Sequence, residues 1–362
     1  KKVTKNGKKV TKRVKKTVTK KVRKNVIAMY DNSGVLRSEM PLEANVAKNM
    51  QIIYDNIVYP CSANKFTRIN DLGQVTRIYQ VNGYKQDGEF AYDGYGNIYF
   101  IASALGKKTS RNSRIMSLEL ETGKVSLALD FDNFLSEMYK KSGKKANWID
   151  INSVQVCGTN KLIISSKSLS SIFKVSNVGS LLPKLDYIIA DKDIWAKCKN
   201  LKKKVLKKYS KDDADESATA DPSATDDTDS IESILNQGKK KPDPFRSQYG
   251  QNALTSNSSG TLITMLNNNA GKYAKKSNDK SYYYQFKVNE SAKNYRVSEK
   301  KAFEKTSNNG NIIKGDSRYI YCCSDKGKFI ETDSAGKLIK GFKTGGRPYR
   351  VYKNDWKNFW FY

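Results

Sequence analysis

The residues best suited to chemistry lie in one stretch, NWIDINSVQVCGTNKLIISSKS, which covers residues 147–168. Asp150 stands near its start, ahead of a strand-like run, and a carboxylate there could serve as a nucleophile. The chain of 362 residues contains no histidine, so neither a Ser-His-Asp triad nor a Cys-His pair can form. Any chemistry in this stretch must therefore proceed without an imidazole.

The cysteines offer no obvious substitute for the missing histidines. No two of them have Cys-X-X-Cys spacing, and without histidine we expect no metal site. Cys322 and Cys323 are adjacent in a predicted strand and would point to opposite faces, so we do not expect them to pair with each other. The odd count favours buried thiols over a full disulfide framework. The five cysteines are Cys61, Cys157, Cys198, Cys322 and Cys323.

Positive charge is concentrated at the start of the chain. Residues 1–24 contain 13 Lys or Arg and no acidic residue, out of a formal net charge of +30. Such a run of like charges would repel itself as a helix, so we predict a basic linker or tail. Its charge would suit an anionic cell-wall polymer or a membrane surface. We do not expect specific nucleic-acid binding, because no aromatic residue is interleaved for base stacking.

A second biased segment covers residues 199–243. It opens with a basic run and continues with DDADESATADPSATDDTDSIE, which holds nine acids and no base. Few large apolar residues and blocks of alternating charge predict a low-complexity, solvated insertion. The longest apolar runs of the chain have strand length and fall short of the roughly 20 residues of a membrane-spanning helix. The chain starts at Lys1 and shows no signal peptide.

The rest of residues 25–362 repeats a pattern of short strands and glycine-containing turns. The run IVYPCSANKFTRINDLGQVTRIY, residues 57–79, shows it plainly, and NVIAMYDNSGVLRSE, residues 25–39, is a partial unit that we count as the sixth. Units of about 49 residues match propeller blades, so we predict an all-β, six-bladed β-propeller with four-stranded antiparallel blades. A pair of β-sandwiches is the alternative, and residues 130–144 are the one helical candidate.

Three motifs, in order along these units, resemble the bacterial arylsulfotransferase family. NWIDINSV followed by KLIISSKSLSSIFKV is similar to that family's Asp-aromatic-X-His-X-Asn-Ser ahead of a strand ending Ser-Ser-Arg. YGQNALTSNSSGTLITMLNNNAG resembles its Gly-Gln-His stretch, strand and Asp-Asn-Gly. GKFIETDSAGKLIKGF with the pair Tyr349-Arg350 is similar to its last blade. The resemblance covers residues 25–362 apart from the insertion.

The resemblance implies a six-bladed propeller that moves a sulfuryl group from one phenol to another without a nucleotide cofactor. In that family a histidine is transiently sulfated, and further histidines with an arginine gather the sulfate charge. A neutral imidazole is a good nucleophile at pH 7, and cationic donors stabilise the transferring group. The resemblance also implies an extracytoplasmic location, secreted or at the cell surface, and no bound cofactor.

This sequence departs from the family at the charged positions. Asp150 and Asn252 stand where the family has histidines, and Ser-Ser-Lys, ending at Lys167, replaces Ser-Ser-Arg. A sulfohistidine cannot form, so we interpret the chain as a propeller that has lost histidine-dependent transfer and acts as a ligand-binding or interaction module. The alternative is an active aryl-sulfate sulfotransferase with a non-histidine nucleophile, either Asp150 or a tyrosine near a lysine.

The polar residues kept at the predicted channel mouth would suit a small anionic or aromatic ligand. An alternative interpretation is that the amides among them only satisfy strand ends. The candidate ligand-binding residues are Trp148, Asn152, Lys167, Gln251, Asn268 and Arg350.

Overall fold

A computed structural model describes residues 2–5, 8–11, 25–42, 48–106, 109–209, 247–271 and 280–354. Within these ranges the protein is a β-propeller of four-stranded antiparallel blades, which confirms the fold class and blade type predicted from the sequence. Alternating apolar residues form the strands, and each blade packs both of its faces against neighbours.

Five blades follow one another along the chain. Blades 1 and 2 consist of β5 (Gln51–Ile53), β6 (Asn56–Ser62), β7 (Lys65–Ile69), β8 (Val75–Gln80), β9 (Tyr84–Tyr92), β10 (Asn97–Ala104), β11 (Arg114–Glu119) and β12 (Val125–Asp130). Blade 3 consists of β13 (Ile151–Val156), β14 (Leu162–Ser166), β15 (Ser171–Ser176) and β16 (Lys184–Ile189).

Blade 4 carries an additional fifth strand, because the short β17 pairs in parallel with β21. Blades 4 and 5 consist of β17 (Lys207–Lys208), β18 (Gln251–Ser256), β19 (Leu262–Asn267), β20 (Lys280–Asn289), β21 (Asn294–Glu304), β22 (Ile312–Lys314), β23 (Arg318–Cys323), β24 (Lys328–Asp333) and β25 (Leu338–Lys343). The first strands of neighbouring blades contact each other, β9 with β13 and β13 with β18, so the first strands line the channel.

The predicted number of six four-stranded blades is wrong, because the described residues form five. The partial unit at residues 25–39 yields a two-stranded sheet, β3 (Asn25–Tyr30) and β4 (Leu36–Leu42), between blades 5 and 1. Tyr30 contacts Phe329 and Phe342 of blade 5 edge to face, while Ile27 packs in the apolar cluster of blade 1. Dividing the chain into equal units counted this partial unit as a full blade.

The hydrophobic core is divided into clusters between neighbouring blades. Phe66 of blade 1 meets Phe90 and Phe100 of blade 2 at ring-centroid distances of 5.6 and 5.1 Å. Close packing also requires glycine at one blade corner, because a Cβ on Gly260 (φ +70°) would lie 3.2 Å from Ile163 and 3.3 Å from the Cys157 sulfur. All five cysteines are buried, free thiols.

Helices are few and short in the described residues. The predicted helix over 130–144 is confirmed as α1 (Phe131–Phe134) and α2 (Ser136–Lys141), and α3 covers Lys192–Trp195. Single 3₁₀ turns cover Leu201–Lys204 and Ser324–Lys326. No helix in the described part of the chain has the length and apolarity to cross a membrane.

The two biased segments fall mostly outside the described residues. In the basic tail, β1 (Lys2–Lys5) and β2 (Lys8–Thr11) form an antiparallel pair. Residues 199–209 of the predicted insertion are described and include the 3₁₀ turn and β17, whereas residues 210–246 lie outside the description.

Candidate ligand-binding site at the channel mouth

Charged and polar side chains from three blades meet where the inner strands begin. Lys48 precedes β5, Asp87 lies in the first half of β9, and Asp150 directly precedes β13. Hydrogen bonds, ion pairs and electrostatic interactions connect them to residues of the following loops. We call this set the mouth cluster, and its members are Lys48, Asp87, Arg111, Asn112, Asp150 and Lys167.

The backbone fixes the position of Asp150 before its side chain makes any contact. Its φ of 43° lies in the left-handed region, which aspartate tolerates better than most residues. Its carbonyl oxygen accepts the Lys167 N–H at 3.1 Å, and the next N–H, of Ile151, donates to the Asn112 carbonyl at 3.1 Å. The turn before β13 therefore aims the carboxyl of Asp150 at the residues around Asn112.

Asn112 joins the two acids of the mouth cluster. Its Nδ2 donates to Oδ2 of Asp87 at 2.8 Å and approaches Oδ1 of Asp150 at 3.3 Å. Lys48 Nζ lies 2.5 Å from Oδ1 of Asp87. Lys48 thus neutralises the carboxylate of Asp87, and the carboxylates of Asp87 and Asp150 share the side-chain amide of Asn112.

Arg111, one of the two cations beside Asp150, is more accessible than the acid. Arg111 Nε lies 3.9 Å from Oδ1 of Asp150, and the arginine side chain is 67% exposed against 25% for the aspartate. Lys167 Nζ donates to Oδ1 of Asn308 at 3.0 Å, which joins blade 3 to the loop before β22. Burial raises the pKa of Asp150 above its ordinary value, although Arg111 and Lys167 act in the opposite direction.

The segment after blade 5 closes the ring between blades 5 and 1. We call Tyr349–Tyr352 the closing segment. The Tyr349 carbonyl accepts the Gly310 N–H at 2.9 Å, and Val351 exchanges two hydrogen bonds with the Asn311 side chain at 2.7 and 2.8 Å. The Tyr352 hydroxyl donates to Asn49, next to Lys48 of the mouth cluster.

A buried ion pair lies within this closure. Arg350 Nη2 is 3.0 Å from Oε1 of Glu89 in β9, and the two side chains are 6% and 0% exposed. Burial raises the pKa of Glu89 to about 7, against the lowering influence of Arg350 and Lys48. The pKa of Tyr349 is also raised well above its ordinary value, mainly by burial and secondly by the charge of Glu89.

The sequence matches one family along most of its length. The family described as Arylsulfotransferase (ASST) matches residues 1–343. The chain belongs to the arylsulfotransferase family. This confirms the resemblance inferred from the three motifs, and Asp150 and Asn252 therefore stand in a family member that has no histidine.

Individual proteins are much more distant. No curated protein matches this arylsulfotransferase-family sequence significantly. A periplasmic gluconolactonase structure from Pseudomonas aeruginosa is 8% identical, with a TM-score of 0.47 over 89% of this chain and 93% of its own. A streptogramin B lyase structure is 13% identical, with a TM-score of 0.43 over 90% and 79%. A functionally unknown protein from Desulfotomaculum acetoxidans is 8% identical, with a TM-score of 0.44 over 90% and 93%.

Four amide residues, three of them predicted ligand-binding residues, hold neighbouring strands and blades together. We call Asn152, Gln251, Asn252 and Asn268 the amide belt. Asn152 Nδ2 donates to the Gln251 carbonyl at 2.6 Å, and Gln251 Nε2 donates to the carbonyls of Ser166 at 2.9 Å and Ser171 at 3.3 Å.

The other two members join blade 4 to blade 5. Asn252 Nδ2 donates to the Gly310 carbonyl at 3.3 Å, and Asn268 Nδ2 donates to the carbonyls of Thr306 at 3.0 Å and Asn309 at 2.9 Å. The side-chain oxygens of all four amides accept no hydrogen bond within the described residues. The belt therefore uses its amide donors to connect strands of blades 3, 4 and 5.

The remaining predicted residues divide between the mouth and the interior. Lys167 and Asp150 lie together in the mouth cluster, and Arg350 lies in the buried pair with Glu89. Trp148 is 4% exposed in the core beside Tyr139 (ring centroids 5.3 Å apart), and its indole N–H donates to Asp132 at 2.8 Å. It is a packing residue of blades 2 and 3 in this structure.

Sequence reasoning missed most of the mouth cluster. Its unforeseen members are Lys48, Asp87, Arg111 and Asn112. Aligning the repeat units by their inner strands would have singled out Asp87, because it lies near the start of β9 as Asp150 lies before β13. Among the described residues no three Cys, Asp or Glu side chains come together as a metal site.

Proposed function

We propose that this arylsulfotransferase-family propeller binds a small anionic or aromatic ligand at the mouth cluster and does not perform histidine-dependent sulfuryl transfer. One observation carries the proposal: Arg111 and Lys167 accompany Asp150 at the position of a family histidine, and the Arg111 guanidinium is 67% exposed. Exposed guanidinium and ammonium donors at a channel mouth recognise sulfate, carboxylate or phosphate groups.

Charge favours an anion at the mouth. Lys48, Arg111 and Lys167 outnumber the carboxylates of Asp87 and Asp150. The ligand's charged group therefore stays at the mouth, close to Arg111 and Lys167.

Transfer by another nucleophile finds little support in this arrangement. A carboxylate at Asp150 has the wrong charge to approach a sulfate ester. Tyr349, whose ring centroid lies 5.8 Å from Lys48 Nζ, has a pKa raised by burial and by Glu89, so its phenolate is disfavoured. A sulfate-accepting tyrosinate would require the opposite shift.

Turnover and binding of an aryl sulfate test the proposal together. The purified chain is incubated with 4-nitrophenyl sulfate and a phenol acceptor, phenol release is followed, and intact mass is measured. We expect no release and no adduct of sulfate, with calorimetric binding that Arg111→Ala and Lys167→Ala weaken. Arg296→Ala, an exposed arginine on β21, is the matched control. Release with a labile adduct would establish transfer through a non-histidine nucleophile instead.

We also propose that the basic tail determines where the protein is located. With its excess of 13 cations, residues 1–24 would keep the propeller near an anionic cell-wall polymer or membrane surface outside the cytoplasm. The full chain should sediment with phosphatidylglycerol vesicles, whereas a variant of residues 25–362 should stay in the supernatant. Salt at 0.5 M should release the full chain from the vesicles, because it screens exposed charges (~4 Å Debye length). Cell fractionation tests the location itself.

A further inference from the structure

The end of the propeller opposite the mouth cluster carries the most exposed large apolar side chains of the described residues. In an antiparallel blade whose first strand begins at the mouth, the turns after the first and third strands lie at this opposite end. In blades 1 to 3 these turns are residues 54–55 and 70–74, 93–96 and 120–124, and 157–161 and 177–183. Leu181 (100% exposed), Leu182 (82%), Tyr95 (80%) and Tyr54 (71%) lie on them, together with the exposed Leu72. We call these five residues the apolar tips.

The apolar tips belong to one ordered surface. Gly179 N–H, on the turn that carries the two leucines, donates to the Ala128 carbonyl of blade 2 at 3.0 Å. Tyr54 of blade 1 meets Tyr92 of blade 2 edge to face at a ring-centroid distance of 6.0 Å. Single apolar residues are common on protein surfaces, but the four most exposed ones here lie at one end of three consecutive blades. Such a group indicates an interaction surface.

The charges on the same turns divide by blade. The turns of blade 1 contain Asp55 and Asp71 and no base, whereas those of blade 3 contain Lys161 and no acid and are followed by Lys184. Lys184 lies 3.5 Å from Asp186, but its side chain is 66% exposed against 12% for the acid. The turns of blade 2, which lies between them, contain charges of both signs. The surface is therefore acidic on one side and basic on the other.

We propose that two copies of this chain associate through this surface about a two-fold axis that passes through blade 2. Rotation about such an axis places blade 3 of each copy against blade 1 of the other, and blade 2 against its counterpart. Lys161 and Lys184 of one copy then face Asp55 and Asp71 of the other, and this contact occurs twice. The apolar tips leave water, while both mouth clusters stay open at the outer ends of the pair.

Charge and area favour a second copy over other occupants. A membrane or polymer with charge of one sign would meet like charges on blade 1 or on blade 3, whereas a second copy presents both signs where they are needed. At roughly 150 Å² for each large side chain, the apolar tips offer about 700 Å², close to the about 800 Å² per partner of a standard interface. The net charge of +30 on each copy is screened beyond about 8 Å at physiological salt.

Self-association of the full chain tests the proposal. Light scattering at about 100 μM protein and about 0.15 M salt should give twice the mass of one chain. Leu181→Ser with Leu182→Ser should weaken association about tenfold or more. Leu105→Ser is the control, because Leu105 is also exposed (63%) but follows the second strand of blade 2, at the mouth end. A monomeric wild type, even one that sediments with phosphatidylcholine vesicles, or equal association of the two leucine variants would overturn the proposal.

Exchanging the charges tests the two-fold arrangement. Lys161→Glu with Lys184→Glu, and separately Asp55→Lys with Asp71→Lys, should each give monomers, because like charges face each other in both halves of the interface. Mixing the two variants should restore dimers, because one half then joins the exchanged charges and the other half the native ones. Urea denaturation with midpoints close to that of the wild type shows that both variants fold. A mixture of folded variants that stays monomeric, or a dimer that survives in either variant alone, would overturn the arrangement.

Discussion

The mouth cluster and the mostly buried polar residues between the blades, which are the amide belt and the Arg350–Glu89 pair, contain similar side chains. They differ in solvent exposure. We call the second set the wall. In the mouth cluster Arg111 is mostly exposed and lies 3.9 Å from its acidic neighbour. In the wall, Asn268 is fully buried and donates two hydrogen bonds, and Arg350 is buried against Glu89 at 3.0 Å. The first set can exchange partners with a ligand, whereas the second would have to break the ring to do so.

This difference teaches that residue type alone did not identify the site. Gln251, Asn268 and Arg350 fit an anion-binding motif in the sequence, but the two amides donate to neighbouring blades and Arg350 is buried in an ion pair with Glu89. If the comparison holds, substitutions in the wall should affect folding, and substitutions in the mouth should affect ligand binding.

Arg350→Ala should cause the largest loss of stability. Removing the guanidinium leaves the Glu89 carboxyl buried without its ion-pair partner, which typically costs about 3–5 kcal/mol in free energy of unfolding. Urea denaturation of both proteins measures the loss. Arg318→Ala is the control, because it removes an exposed pair with Glu331 (3.1 Å, arginine 55% exposed) that should be worth less than about 1 kcal/mol. Equal losses from the two variants would contradict the division.

The same pair should make stability depend on pH. The pKa of Glu89 is raised from an ordinary value of 4.5 to about 7, so between these values the folded protein keeps a proton that the unfolded chain has released. The stability due to this proton is complete below about pH 4.5 and falls by roughly 3 kcal/mol as the pH rises to 7.

Glu89→Gln isolates this contribution from other titrating groups. Urea denaturation from pH 4.5 to 8 should give a curve for the wild type that falls relative to the variant's curve and becomes parallel to it above pH 7. Parallel curves throughout would mean that Glu89 is ionised across the range and that Arg350 fully compensates for its burial.

Asn268→Ala should destabilise the protein by about 1–3 kcal/mol, because the Asn309 carbonyl would lose the Asn268 donor and the Thr306 carbonyl would keep only the Ser281 hydroxyl. Thermal unfolding measures the effect. Asn133→Ala removes an exposed asparagine that bonds Asp130, and it should cost less than about 0.5 kcal/mol. Weaker aryl-sulfate binding by a fully folded Asn268→Ala protein would instead place the amide belt in the ligand site.

The fold could be predicted from the sequence because its signals are local. Alternating apolar residues and turn glycines predicted the strands, and the amphipathic run at 130–144 predicted the helical region that contains α1 and α2. The number of blades is not local. It depends on how the chain closes the ring, which brings residues 49 and 352 together although 303 positions separate them.

The site was less predictable for a related reason. A motif identified Asp150 and Lys167 because they belong to one blade, but Asp87 and Lys48 come from two others. Trp148 was predicted to bind a ligand, but it is buried in the core and its indole N–H donates to Asp132 of α1. Burial and partners from distant strands decide such roles, and the sequence contains neither directly.

Arg111→Ala should have the smallest effect on folding and a selective effect on binding. The side chain is 67% exposed and its Asp150 contact is long, so stability should change by less than about 0.5 kcal/mol. Loss of one charge-assisted contact to a sulfate should weaken binding about tenfold, which corresponds to 1.4 kcal/mol. Calorimetry with 4-nitrophenyl sulfate compares the variant with Arg296→Ala. Equal affinities would move the anion away from Asp150, whereas a selective loss assigns recognition to the exposed charges of the mouth.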